Sequence, residues 1–239
     1  MNRAGVDAAL ELALRLCPAL GMGVHLVLTS GSPLLGSKVP SLTHGELDFP
    51  NLEEQMARIT ALDLEEVKAE WRSQIERFIA ITGRKPDHLD SHHHFSYYTP
   101  QLFKLQLEFA RELGCAIRLP THSILGKEVM ELPEEMLAPL LDGVPALLKE
   151  YAPRHPNTFI ASFYDETTTP EVLSAILTSL PEGVSELMCH PGLVDALLLS
   201  PTGSTYNRRR EVELDLLTSP HIQQLVRKQA IELINFGQL

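Results

Sequence analysis

Apolar residues recur along this chain with two alternating periods. From about Arg3 to Leu16, the positions Val6, Ala9, Leu10, Ala13, Leu14 and Leu16 lay a stripe along a helix, which Pro18 and Gly21 stop. Gly23–Thr29 is a short aliphatic and β-branched run and predicts a buried strand with His25 at its middle. The segment from Ser30 to about Pro50, rich in Pro, Gly and Ser, reads as a long loop of the kind that carries binding surface. Asp63 with Glu66 three residues on is a capping box, and Leu64, Val67, Trp71, Ile75 and Phe78 continue a helix to about Ile81, closed by Gly83 and Pro86. His88–Phe95 follows as a polar strand. Thr99 and Pro100 open the next helix, with Leu102, Leu105, Phe109 and Leu113 inward and Gly114 past its end. Ala116–Leu119 is then a short strand, stopped by Pro120 and containing Arg118.

The same alternation continues. A helix from about Pro133 to Tyr151 precedes a strand at Thr158–Phe163, and Thr169-Pro170 opens a helix carrying Leu173, Ile176, Leu177 and Leu180. Glu186–His190 is the next strand, ended by Pro191-Gly192. Helices from near Tyr206 through Leu217 and from Ser219 to Lys228 lead to a closing strand at Ile231–Phe236. Helices alternating with short apolar strands predict an α/β fold with parallel strands and helices packed outside. His92, His94, Arg118 and His190 all fall at strand ends, which a (β/α) barrel explains, because its catalytic groups project from the C-terminal ends of different strands. The competing doubly wound sheet lacks a Gly-rich phosphate loop to support it.

Composition narrows the picture. At 239 residues and 44% hydrophobic, the chain is long enough for one large core, so a single domain spanning 1–239 is expected. A net charge of -11, with Arg208-Arg209-Arg210 the one basic cluster, argues against nucleic acid and anionic membranes as partners. Cys17, Cys115 and Cys189 lie in apolar contexts without CxxC spacing and predict reduced, buried thiols in a cytoplasmic protein. The apolar runs are too short to span a bilayer, and the N-terminus has no signal-peptide pattern, so no export address is expected.

On a strand, His88, Asp90, His92 and His94 share one face. Three imidazoles and a carboxylate in one line are the donors that divalent metals accept, so the stretch reads first as part of a metal site. His25, a lone histidine among aliphatics, is by its own context either a satisfied core residue or a ligand.

Three blocks, Gly23-Val24-His25-Leu26 with Leu28-Thr29, Pro86-Asp87-His88-Leu89-Asp90-Ser91-His92-His93-His94, and Glu186-Leu187-Met188-Cys189-His190-Pro191-Gly192, resemble the signature blocks of the YdjC-like carbohydrate deacetylases, among them the chitooligosaccharide deacetylases. The resemblance runs from Met1 to the C-terminus. It implies a distorted (β/α) barrel, a divalent cation (Mg2+, alternatively Zn2+ or another), and removal of acetyl groups from N-acetylated oligosaccharides, with homodimers known in the family. It places metal-binding histidines at His25 and His92, an active-site histidine at His190, and substrate-binding groups at Arg118 and Tyr206. With the family's pair of aspartates present, the expected mechanism would be metal-assisted hydrolysis, in which the cation activates water and polarises the acetyl carbonyl, a carboxylate takes the proton, and His190 protonates the departing amine; without them, two histidines alone would hold a metal weakly. Asp90 is either the base or the partner that orients a ligand imidazole.

Two departures stand out. The family's further histidine two positions after the triple is Ser96 here. The family's first strand, with its aspartate pair, has no match, so the first βα unit, roughly 35 residues on typical lengths, is expected to be missing. The alternative reading is therefore a catalytically inactive barrel that binds sugar or a protein partner. A metal phosphoesterase ranks last, for want of carboxylate ligands.

Overall fold

The computed structural model describes residues 1–120, 134–196, 198–200, 204 and 206–239. They form two compact units, Met1–His155 with Asn235–Leu239, and Pro156–Ile234.

The first unit is built on three parallel strands, β1 (Val24–Leu26), β2 (His88–Ser91) and β3 (Ala116–Ile117), in that spatial order. The register pairs Val24 with Leu89, His25 with Asp90 and Leu26 with Ser91. Helices Val6–Leu16, Leu64–Thr82, Pro100–Leu113 and Glu134–Tyr151 belong to this unit. Its core gathers Leu26, Trp71, Phe78, Leu89 and Phe103. The caps predicted from sequence form: Asp63 Oδ1 accepts from the N–H of Glu65 at 2.8 Å, Thr99 Oγ1 accepts from Leu102, and Gly114 ends its helix at φ 70°. The reciprocal half of the capping box does not form, because Glu66 accepts instead from the N–H of Ser41 (2.8 Å). The 30–50 loop contains a 3-10 turn at Gly36–Lys38 and a short helix at Pro40–Thr43. Pro133, the expected start of its helix, lies outside the described residues.

The second unit pairs β4 (Thr158–Ile160) with β5 (Ser185–Leu187), again parallel. Helices Pro170–Thr178, Arg209–Thr218 and Pro220–Lys228 belong to it, around a small core of Phe163, Leu173 and Ile222. Entry to β5 depends on Gly183: at φ 98°, a Cβ there would meet Asn157 Oδ1 at 2.6 Å, the atom that accepts from the N–H of Val184.

Parallel ladders thus bear out the α/β expectation, with three corrections. The strand expected at Ile231–Phe236 is irregular chain followed by a 3-10 turn at Phe236–Gln238. Asn235 caps that turn and donates to the carbonyl of Ala19, while the Phe236 ring stacks on His88 at 4.0 Å, so side-chain partners displace ladder hydrogen bonds. The strand expected at His88–Phe95 ends at Ser91, as described below. Cys17 is exposed, at the end of a helix with no buried residues, whereas Cys115 is buried and its thiol pushed up to about 11 by that burial. No described helix is long and apolar enough to cross a membrane.

Candidate functional site

In the first unit the site begins with the register. His25 faces Asp90 across the β1–β2 ladder, and its Nδ1 lies 2.8 Å from Asp90 Oδ2. Burial of Val24 and Leu26 on either side leaves the His25 side chain outward and 46% exposed. The end of β1 is clamped by Gln74 of the long helix, which both accepts from the N–H of Val27 and donates to its carbonyl, each at 2.9 Å. Glu70, one turn earlier, accepts from the N–H groups of Leu34 and Leu35 and from Gln74. Two buried polar residues on one helix therefore hold the strand that carries His25 and the loop that follows it.

His92 reaches the same place from β2. Its Nδ1 stands 3.3 Å from His25 Nε2, with the rings edge to face. The chain gets there by leaving the strand: His92–Tyr97 is a 3-10 segment in which His93 and His94 both take left-handed φ of 55°. Consecutive non-glycine residues in that region are uncommon and cost about 1–3 kcal/mol each. The turn is held by Ser91 and Ser96, whose hydroxyls lie 2.8 Å apart, and by Gln106, which bonds Ser96 and donates to the carbonyl of Leu89. His93 is stacked on His92 and bonded to Thr29 Oγ1 (3.0 Å).

The expected face of four ligands is corrected accordingly. His94 is rotated off the strand line by the turn. His88 lies against Asp87 (2.7 Å) and Phe236, where only a glycine at position 23 leaves room, since a Cβ there would meet the His88 ring at 2.4 Å. Among the described residues no group of three His, Cys, Asp or Glu side chains is arranged to hold a metal. The donors facing one another are the two nitrogens of His25 and His92.

Their electrostatics favour the ligand state. Burial, with His93 and His25 nearby, pushes His92 down to about 3, so its imidazole is neutral across the physiological range. Burial alone would raise Asp90, but His25 and the Arg118 guanidinium (Nη1 to Oδ2, 2.7 Å) outweigh it and hold the carboxyl well below the usual range. A charged Asp90 accepting from His25 Nδ1–H leaves Nε2 as the lone-pair nitrogen, the carboxylate–imidazole arrangement common behind metal ligands. Two nitrogens on one divalent ion at about 2.1 Å stand roughly 3.0–3.4 Å apart, so the observed separation fits a shared ion.

The second unit gathers the other predicted residues. Tyr206 lies 8% exposed beneath Tyr164, rings parallel at 4.3 Å, and His190 sits edge-on to both at 5.6 Å. Glu213, fully buried on helix Arg209–Thr218, accepts from the Tyr206 hydroxyl through one carboxylate oxygen and from the His190 backbone N–H through the other. Burial and that carboxylate push the Tyr206 phenol up to about 12. Arg210 donates to the carbonyls of Tyr206 (2.7 Å) and His190 (3.2 Å). The six predicted residues thus fall into two groups, His25, Asp90, His92 and Arg118 in one unit and His190 and Tyr206 in the other.

Residues 1–228 match the family described as YdjC-like protein. The chain belongs to the YdjC-like family. It is 34% identical to the chitooligosaccharide deacetylases of Yersinia pestis (strain Pestoides F) and Yersinia pseudotuberculosis (serotype O:1b), over 99% of this chain and 84% of each relative. A solved structure from Enterococcus faecalis V583, described as a candidate cellobiose-phosphate cleavage protein, superposes with a TM-score of 0.80 at 29% identity, covering 99% of this chain and 84% of its own. In this YdjC-like chain, Ser96 is a buried hinge of the 3-10 turn rather than a ligand. Tyr164 and Glu213 escaped the sequence reading. The strand-end rule that singled out His92, Arg118 and His190 also applies to Tyr164, just past the run Thr158–Phe163, whereas no local signal marks Glu213 as buried.

Proposed function

We propose that this protein is a metal-dependent hydrolase that removes acetyl groups from N-acetylated oligosaccharides, the activity in the names of its Yersinia relatives, with the distorted (β/α) barrel implied by the family resemblance as its fold class. The observation that carries this reading is the His25 Nε2 to His92 Nδ1 approach at 3.3 Å, backed by Asp90 on His25 Nδ1. His25 and His92 would hold the ion. The resemblance points to Mg2+, whereas imidazole donors suit Zn2+ and its neighbours better, since Mg2+ prefers oxygen. When bound, the cation supplies Lewis acidity toward the acetyl carbonyl and toward water.

The remaining roles follow from the chain's own geometry. Of the two roles open to Asp90, the contacts support orientation: a carboxylate tied to both His25 and Arg118 and held strongly acidic is a poor proton acceptor. Arg118, expected beside the sugar, has its guanidinium against Asp90, which supports a positioning role for it as well. His190, with its backbone N–H fixed by Glu213, is the group that protonates the departing amine, and the proton given up by the attacking water replaces the one it donates, so amide and water yield amine and acetate.

The test is acetate release from N,N′-diacetylchitobiose after chelation and resupply of Mg2+, Zn2+, Mn2+ or Co2+. Activity should return with at least one ion and drop in both His25→Ala and His92→Ala by more than the roughly 10–100-fold that loss of a ligand's outer hydrogen-bond partner costs. No acetate with any ion, or activity indifferent to both substitutions, overturns the proposal.

A further inference from the structure

A large aromatic ring that is stacked and yet partly exposed needs a reason. Tyr164 is 42% exposed, yet its ring lies flat on Tyr206, 17° from parallel. Tyr206 is itself locked by Glu213, by Thr168 Oγ1 (3.3 Å) and by the backbone N–H of Asp165 (3.4 Å), and both Glu213 and Thr168 are buried. The upper ring is thus braced from below by a side chain that cannot turn. Tyr164 follows β4, and His190 follows β5, the strand parallel to it, so both stand past the carboxyl ends of one ladder, where α/β sheets place ligands. The His190 ring is 5.6 Å from that of Tyr164, centre to centre.

We infer that Tyr164 is a stacking platform for a sugar ring, seating one residue of an oligosaccharide beside His190. The apolar C–H face of a pyranose carries weakly positive hydrogens and packs on the negative face of an aromatic ring. The class of ligand rests on the deacetylase reading above; the platform itself rests on the geometry of Tyr164, Tyr206 and His190.

Titration calorimetry and saturation-transfer NMR with N,N′-diacetylchitobiose and with cellobiose, which has no acetyl group, test the platform without needing turnover. Tyr164→Ala should weaken binding about tenfold, what uncovering roughly one aromatic face is worth, and Tyr164→Phe should rescue it. In the acetate assay the loss should appear mainly in KM. Circular dichroism checks that each variant folds. If the wild type binds sugar but releases no acetate, the deacetylase reading falls and the platform stands or falls on the Tyr164 series. Wild type binding neither sugar, or Tyr164→Ala binding as the wild type does, overturns the platform.

Discussion

The two groups of candidate site residues are held by different physics. Around His25 and His92, position comes from the sheet: neighbouring parallel strands put His25 opposite Asp90, and a buried charge pair, Asp90 with Arg118, fixes the ring from behind. Around His190 and Tyr206, no such register is at work. One buried carboxylate on a helix, Glu213, ties a phenol and a loop N–H together, and aromatic stacking does the rest. The first arrangement is built on ionised groups that need each other; the second is built on neutral donors converging on a single acid. The lesson is that a strand-borne site is organised before its side chains interact, whereas a loop-borne site depends on whichever residue bridges its pieces.

That contrast can be broken from its strongest point. Asp90→Ala leaves the Arg118 guanidinium 14% exposed with its carboxylate gone, and removing one member of a buried pair costs about 3–5 kcal/mol. Urea unfolding should show that loss, and Zn2+ titration should show roughly 10–100-fold weaker binding as His25 loses its orienting acceptor. Glu213→Ala should cost about 2–4 kcal/mol, the sum of two donors left without their acceptor, with Zn2+ affinity near wild type. If Glu213→Ala weakens the metal as much as Asp90→Ala does, the separation drawn between the two groups is wrong.

The pH dependence sharpens the comparison further. His92 is depressed to about 3 in the fold, so between the ordinary histidine value of about 6.5 and that figure the unfolded chain binds a proton that the native state refuses. Its contribution to stability is therefore present above about pH 6.5 and lost as pH falls toward 3. His92→Asn should flatten the stability-against-pH curve across that window, compared with the wild type in the same buffers; an unchanged slope would mean that the ring is not desolvated as described. A smaller effect is expected from Tyr206→Phe, about 1–3 kcal/mol because one oxygen of the buried Glu213 carboxylate loses its donor, with the ring stack retained. Calorimetric Tm should fall by a few degrees.

Much of the frame was legible in advance. Asp63, Thr99 and Thr169 cap the helices they were expected to cap, because a short polar side chain ahead of an apolar stripe satisfies free N–H groups wherever the helix later packs. The pairing of His25 with His92 was legible only through the family blocks, since sixty-seven positions separate them. The alternation in His88–His94 mimics a strand longer than the one that forms, whereas the Ser91–Ser96–Gln106 network bends the chain after Ser91 into a turn with two left-handed histidines. Likewise, Ile231–Phe236 has the apolar content of a strand, but Asn235 and the Phe236–His88 stack give its end other partners.

The amino-acid order alone determined most of the helices, their N-caps and the parallel α/β class, because those depend on interactions within a few residues. Only the folded chain decided that Asp90 pairs with His25 and with Arg118, and that Glu213 binds the His190 loop to Tyr206. Each of those outcomes is a contact between residues far apart in sequence, and its energy exists only once packing has excluded water around it.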